Sequence, residues 1–109
     1  MDIREMQNEV YEWAKTKGWE PDPGRTFGDE CALIHSEVSE AVEAYRVHGF
    51  LDLTDPDTGK PEGVASEFAD VLIRLLHYCA VHNFDLEDEY HRKMTYNKTR
   101  AYRHGGKSL

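Results

Sequence analysis

Four acidic residues occur in the chain as two pairs with the same internal spacing. Glu37 and Glu40 form the first pair, and Glu67 and Asp70 form the second. Residues at this spacing are neighbours on one side of a helix. Carboxylate oxygens are the ligands that Mg²⁺ prefers in proteins. If both segments are helices that face each other, the pattern predicts a divalent-metal site.

The apolar residues around each pair repeat with the helical period. On a wheel of about 100° per residue, Glu37 lies within an apolar arc and Glu40 at its edge. Glu67 and Asp70 lie at the corresponding edge of the second arc. The first arc comprises Leu33, Ile34, Val38, Ala41, Val42, Ala44 and Tyr45, and the second comprises Val64, Phe68, Val71, Leu72, Leu75, Leu76, Tyr78 and Cys79. Packing the two arcs together is expected to bring the four carboxylates to one seam.

Four carboxylates at such a seam need a counter-charge. Each ionised group at a core-facing edge costs several kcal/mol, and the four also repel one another. Arg74, one turn after Asp70, could neutralise one of them. Mg²⁺ is the expected ion for the others, with Mn²⁺ as a substitute. A single acid-x-x-acid pair means little in a chain with 21 acidic residues, but its duplication at the same offset from two apolar arcs favours a metal site over a solvated surface.

Helical periodicity and helix-breaking residues predict the elements that must position these side chains. Thr26 with Asp29 resembles a helix N-cap, and glycines stand where helices commonly end. The segment 49–63 is rich in proline and glycine and shows no strand-like alternation, so it is predicted to be a loop. The predicted helices span about 2–17, 26–48, 61–82 and 85–97. The expected fold is all-α, a small antiparallel four-helix bundle that is oligomeric.

Composition limits the class of protein. With 109 residues, the chain 1–109 is expected to be one domain, because two separate cores would be too small. No apolar run approaches the roughly 18 residues of a membrane span, and the first residues do not resemble a signal peptide, so a cytoplasmic location without a membrane partner is expected. Cys31 and Cys79 lack the spacing of a metal or redox motif and are expected to be reduced.

Charge is distributed unevenly along the chain. The net charge is −8, yet all 21 acidic residues precede position 91, and six basic residues without an acid follow it. The segment 98–109 is therefore a basic tail. Charge alone leaves three interpretations open for this tail: it could bind phosphate, bind nucleic acid or simply be solvated.

The pattern Glu37-x-x-Glu40 followed by Glu67-x-x-Asp70 resembles the signature of the MazG-like nucleotide pyrophosphohydrolases. The likeness extends over 7–107 and is supported by the segments 39–46, 60–63 and 97–107. It implies a helical bundle that assembles as a homodimer or homotetramer. It also implies hydrolysis of a nucleoside triphosphate to the monophosphate and pyrophosphate.

The resemblance also assigns roles to residues. The four acidic residues would hold Mg²⁺, and either Glu37 or Glu40 would accept a proton from the attacking water. In the tail, an arginine could bind phosphate through two hydrogen bonds, and neighbouring residues could add further hydrogen bonds or stacking. The expected substrate-binding residues are Asn97, Lys98, Arg100, Tyr102 and Arg103. Trp13 and Trp19 could stack on a base, although the helical apolar position of Trp13 is more typical of a core residue.

Other functions are less well supported. A di-iron carboxylate bundle would need two Glu-x-x-His motifs, and the nearest match is a single Asp88-x-x-His91. The six histidines form no catalytic or zinc motif and are expected at the surface or at helix caps. The alternative from another class is a non-enzymatic helical adaptor that binds nucleic acid through its basic tail. Such binding would weaken with salt and would not depend on Mg²⁺.

Overall fold

The computed structural model describes residues 1–19 and 23–102, and the fold is all-helical. The described residues form four helices, which lie where the sequence predicts them, within a few residues at each end. They are α1 (Ile3–Thr16), α2 (Phe27–His48), α3 (Val64–Val81) and α4 (Leu86–Asn97). The all-α prediction is confirmed.

The ends of α2 are fixed by local interactions. The Thr26 hydroxyl accepts a hydrogen bond from the Asp29 amide (3.1 Å), and the Asp29 carboxylate accepts one from the Thr26 amide (2.9 Å). This reciprocal capping box satisfies two amides that the helix itself cannot pair. Gly49 ends the helix at φ +64°, a conformation that glycine adopts readily. The cap sets where α2 begins, and therefore where Glu37 lies along it.

The connection between α2 and α3 contains a short antiparallel pairing of β1 (Leu53–Thr54) with β2 (Pro61–Glu62). The prediction of a strand-free loop is wrong here, because two residues per strand are too few to show an alternating pattern. The turn is closed by the Asp55 carboxylate, which accepts a hydrogen bond from the Asp57 amide at 2.8 Å. Gly63 follows at φ +118°, where a β-carbon would lie 2.7 Å from the Leu51 carbonyl oxygen. Gly63 is the N-cap of α3, so Glu67 lies in the first turn of that helix.

Helix α3 is central, with α1 and α2 packed against it, while α4 contacts α1. Helices α2 and α3 run antiparallel, since Glu37 contacts Arg74 and Glu30 contacts His82. Arg4 of α1 forms ion pairs with Asp85, Glu87 and Asp88 at the start of α4. The buried apolar residues are Val10, Ala14, Ala41, Leu76, Tyr78 and Cys79.

Much of the two apolar arcs is not buried within the chain. Val38, Val42 and Tyr45 of α2 are 43%, 48% and 52% exposed, and Phe68 and Leu72 of α3 are 57% and 46% exposed. The prediction that these five residues belong to the core of one chain is wrong. We call them the α2/α3 apolar face. Helical period identifies an apolar stripe but does not tell whether its partner lies in the same chain.

Within the described ranges, no helix combines the length and apolar character of a membrane span.

Candidate metal centre between two helices

Three of the four predicted acidic residues meet between α2 and α3. Glu37 of α2 and Glu67 and Asp70 of α3 each place one carboxylate oxygen within 4.8 Å of the others. All three side chains are partly buried, which separates them from ordinary solvated surface acids. Antiparallel packing of α2 on α3 brings these side chains together from positions that are 30 or more residues apart in sequence.

Glu40 lies at the outer edge of this cluster. It is exposed and does not belong to the close group of three. Its negative charge nevertheless acts on Glu67. The four predicted residues therefore share one electrostatic environment, with Glu40 closest to solvent.

The environment disfavours the charge of Glu67. Burial raises the pKa of the Glu67 carboxyl above its ordinary value, and the charges of Asp70, Glu37 and Glu40 raise this pKa further. Lys60 acts in the opposite direction with a smaller effect. A cation among the carboxylates would remove the repulsion that opposes ionisation. The donor set is all oxygen and partly accessible, which fits Mg²⁺ with water or phosphate oxygens completing its coordination.

Arg74 neutralises one member of the cluster. Its Nε donates to Oε1 of Glu37 at 2.8 Å, and its Nη1 donates to the Tyr78 hydroxyl at 3.2 Å. Burial would lower the pKa of the Arg74 guanidinium, but these two hydrogen bonds outweigh that effect and raise the pKa. Arg74 thus carries a fixed positive charge at one side of the cluster. Glu67 and Asp70 have no comparable arginine partner among the described residues.

A cavity of about 480 Å³ adjoins the carboxylates. Arg74 links the two, because it lines the cavity and contacts Glu37. At the cavity, Glu30 of α2 is only 7% exposed and pairs with Nε2 of His82 at 2.8 Å. The other lining residues include Trp13, Trp19, Arg25 and Tyr78.

Sequence reasoning missed the pair of Glu30 and His82. Glu30 resembles an ordinary acid in the first turn of a helix, and the histidines were expected at surfaces or caps. His82 does cap α3, but it also contacts a buried carboxylate. One signal was present: Glu30 precedes Glu37 by two helical turns of about 3.6 residues and so lies on the same side of α2.

The two tryptophans lie together at the cavity. Their ring centroids are 5.0 Å apart with an interplanar angle of 77°. Trp13 is 40% exposed and Trp19 is 55% exposed. The expectation that Trp13 is a core residue is therefore wrong, because α1 turns this side chain towards the cavity.

The predicted substrate-binding residues lie at the end of α4 and beyond it. Asn97 is the last residue of α4, Lys98 caps the helix, and the Arg100 guanidinium lies over the Tyr96 ring at 5.9 Å. The fourth, Tyr102, is 84% exposed. The fifth predicted residue, Arg103, lies outside the described residues. Within the described ranges, no hydrogen bond or ion pair joins Asn97, Lys98 or Arg100 to the acidic cluster.

Replacing Glu67 tests the electrostatic argument without any substrate. Glu67→Gln is expected to raise the melting temperature of the metal-free protein by a few degrees at neutral pH. Because the folded-state pKa is raised from 4.5, the folded protein retains this proton more strongly than the unfolded chain. The resulting stabilisation is complete below the unfolded pKa and is lost as pH rises through the folded pKa. The advantage of the variant over the parent should therefore grow across that interval.

Thermal melts in EDTA at several pH values measure this advantage. Glu43→Gln is the matched control on α2, since Glu43 is exposed and its ion-pair partner among residues 1–19 and 23–102 is Arg46, at 3.8 Å. A constant difference between Glu67→Gln and the parent at every pH would contradict the proposed repulsion.

No match to this chain is found among models of protein families, curated proteins or solved structures. Its functional assignment therefore depends on the residues and the geometry described above.

Proposed function

We propose that the protein is a Mg²⁺-dependent nucleoside triphosphate pyrophosphohydrolase, which converts a ribo- or deoxyribonucleoside triphosphate and water to the monophosphate and pyrophosphate. One observation carries the proposal: Glu37, Glu67 and Asp70 meet within 4.8 Å across two helices. Glu40 adds its charge to the same site. The proposed reaction is the one that the resemblance to MazG-like enzymes implies. We further propose that the protein acts in the cytoplasm.

The acidic residues have the chemistry to hold Mg²⁺. They offer several carboxylate oxygens in a partly buried seam, where the ion would relieve their repulsion. When bound, Mg²⁺ supplies charge neutralisation for phosphate oxygens and lowers the pKa of a coordinated water. The protein's own contribution is to fix the ligands on two rigid helices.

The general base is one of the two glutamates of α2, and Glu40 is the better candidate. The Arg74 Nε–H already donates to one oxygen of Glu37 at 2.8 Å, which occupies a site where a proton would otherwise be accepted. Glu40 is exposed and next to the cluster, so water can reach it. Glu37 then serves as a ligand that Arg74 orients, while Glu40 accepts the proton of the attacking water.

The basic tail could contribute to phosphate binding from the same chain or from a second one. In one chain, α4 packs against α1, whereas the carboxylates lie between α2 and α3. Asn97, Lys98 and Arg100 would reach the phosphates only if the substrate extends towards them or another copy supplies them. The same holds for Tyr102, the last described residue, and Arg103 remains a proposed phosphate ligand from the sequence alone.

A second copy of the chain would cover the α2/α3 apolar face. An antiparallel helix pair leaves one side of each helix open, and a symmetry-related pair would complete a four-helix core. This arrangement gives a homodimer, which could pair again as a homotetramer. It also places Glu67 beside the interface, because Phe68 is the next residue and belongs to the face.

Product analysis with a panel of nucleoside triphosphates tests the proposed reaction. With Mg²⁺, at least one ribo- or deoxyribonucleoside triphosphate should yield its monophosphate and pyrophosphate in equal amounts. EDTA should abolish this release, and Mn²⁺ should restore it. Release of a diphosphate and phosphate, or no hydrolysis of any member of the panel, would contradict the assignment.

The same preparation distinguishes the adaptor hypothesis. An adaptor would bind single- or double-stranded nucleic acid in a manner that weakens steeply with salt and ignores Mg²⁺. Its binding would be lost on truncation after residue 97, while changes to the carboxylates would have no effect. No contact among the described residues favours this second function.

A further inference from the structure

The cavity beside the carboxylates differs chemically from the site that would hold the metal. Its walls combine two exposed indole rings with the buried carboxylate of Glu30 and the more accessible imidazole of His82. Aromatic faces bind flat rings by stacking, and a buried charged group recognises a specific hydrogen-bonding edge. These features fit a flat heterocycle that has hydrogen-bond donors at its edge.

The position of the cavity matches the shape of a nucleotide. Glu30 lies seven residues before Glu37 on α2, which corresponds to roughly 10 Å along a helix. Arg74 of α3 and its cap residue His82 are eight residues apart, a similar distance of roughly 12 Å, in the opposite chain direction. A ligand with charge at one end and a ring at the other could therefore span both sites, with Arg74 between them.

The Glu30 carboxylate gives the cavity a definite preference. An ionised carboxylate has no proton to donate, so Nε2–H of His82 is assigned as the donor in their 2.8 Å hydrogen bond. Adenine, guanine and cytosine carry exocyclic amino groups that can donate to such a carboxylate. Uracil and thymine lack an exocyclic amino group, and where cytosine and adenine carry theirs they present a carbonyl oxygen, which would face the carboxylate with like partial charge.

We propose that the cavity bounded by Trp13, Trp19, Glu30 and His82 binds the nucleobase of the substrate and selects bases with an exocyclic amino group over uracil and thymine. The inference rests on the proposed function, since it names the base preference of that enzyme. It adds a recognition role for Glu30 and His82. Trp13 and Trp19 supply the stacking surface.

Cytidine and uridine are the sharpest probes, because they differ only in the amino or carbonyl group and the adjacent ring nitrogen. They lack phosphate, so their binding does not involve the metal site. The chain has two tryptophans, and both line the cavity. Intrinsic tryptophan fluorescence of the full chain in EDTA therefore reports directly on occupancy.

Cytidine is expected to quench the fluorescence saturably with a dissociation constant about tenfold below that of uridine. Glu30→Gln should bring this ratio close to one, because the amide can donate to the carbonyl of uracil. Glu43→Gln, an exposed change on the same helix, should leave the ratio unchanged. Trp19→Leu should weaken both nucleosides by a similar factor, and it provides a second variant if Glu30→Gln does not fold.

Equal affinity for the two nucleosides in the parent protein would overturn the base selection, and absence of quenching by either would overturn the site. These failures are separate from failure of the proposed function. Pyrophosphate release without a cytidine preference would refute this inference alone. Preferential cytidine binding without pyrophosphate release would support the nucleobase site and refute the hydrolase.

Discussion

Asp70→Asn is expected to reduce Mg²⁺-dependent pyrophosphate release by about a thousandfold, because loss of a metal ligand removes several kcal/mol of transition-state stabilisation. The substitution keeps the size of the side chain and one carbonyl oxygen but removes the charge. Asp70 lies in the group of three carboxylates that meet within 4.8 Å, and it is one of the charges that raise the pKa of Glu67. Initial rates of pyrophosphate release over a range of Mg²⁺ concentrations measure the loss.

Binding of the ion can be followed separately from hydrolysis. Mg²⁺ should raise the melting temperature of the parent, since a ligand that binds only the folded state stabilises it. Asp70→Asn and Glu37→Gln should abolish this rise, whereas Glu43→Gln should preserve both the rise and the activity. A parent protein whose melting is unaffected by Mg²⁺, or an Asp70→Asn variant with nearly full activity, would contradict the metal site.

Leu72→Asp is expected to convert an oligomer into monomers. Leu72 is 46% exposed in the single chain, on the same stripe of α3 as Phe68, which lies one turn earlier. In a symmetric dimer each interface contains the substitution twice, and burying an unpaired carboxylate costs several kcal/mol each time. Sedimentation or light scattering should give a parent mass that is a multiple of 12.6 kDa and a variant mass equal to 12.6 kDa.

A change of the same kind outside the α2/α3 apolar face controls for a general effect of adding charge. Met94→Asp on α4 serves this purpose, as Met94 is 37% exposed and α4 contacts α1. This variant should keep the mass of the parent. A monomeric parent protein, or an unchanged mass for Leu72→Asp, would contradict the proposed interface.

The sequence by itself determined the helices and the positions of the acidic pairs on them. These features depend on interactions between near neighbours, such as the capping box of Thr26 and Asp29 and the conformation of Gly49. The helical period also determined that Glu37 lies within one apolar arc and that Glu67 lies at the edge of the other. Since these arcs had to be buried somewhere, convergence of the carboxylates could be predicted from the sequence alone.

The tertiary structure decided what the arcs pack against and which polar residues become buried. Packing of α1 and α2 on α3 buries Leu76 but leaves Leu72 exposed, although both belong to one arc. It also brings the Glu30 carboxylate into contact with His82, a residue 52 positions away in the sequence. The physical reason is that periodicity constrains the direction of a side chain around its own helix, whereas burial depends on which other helix occupies that side.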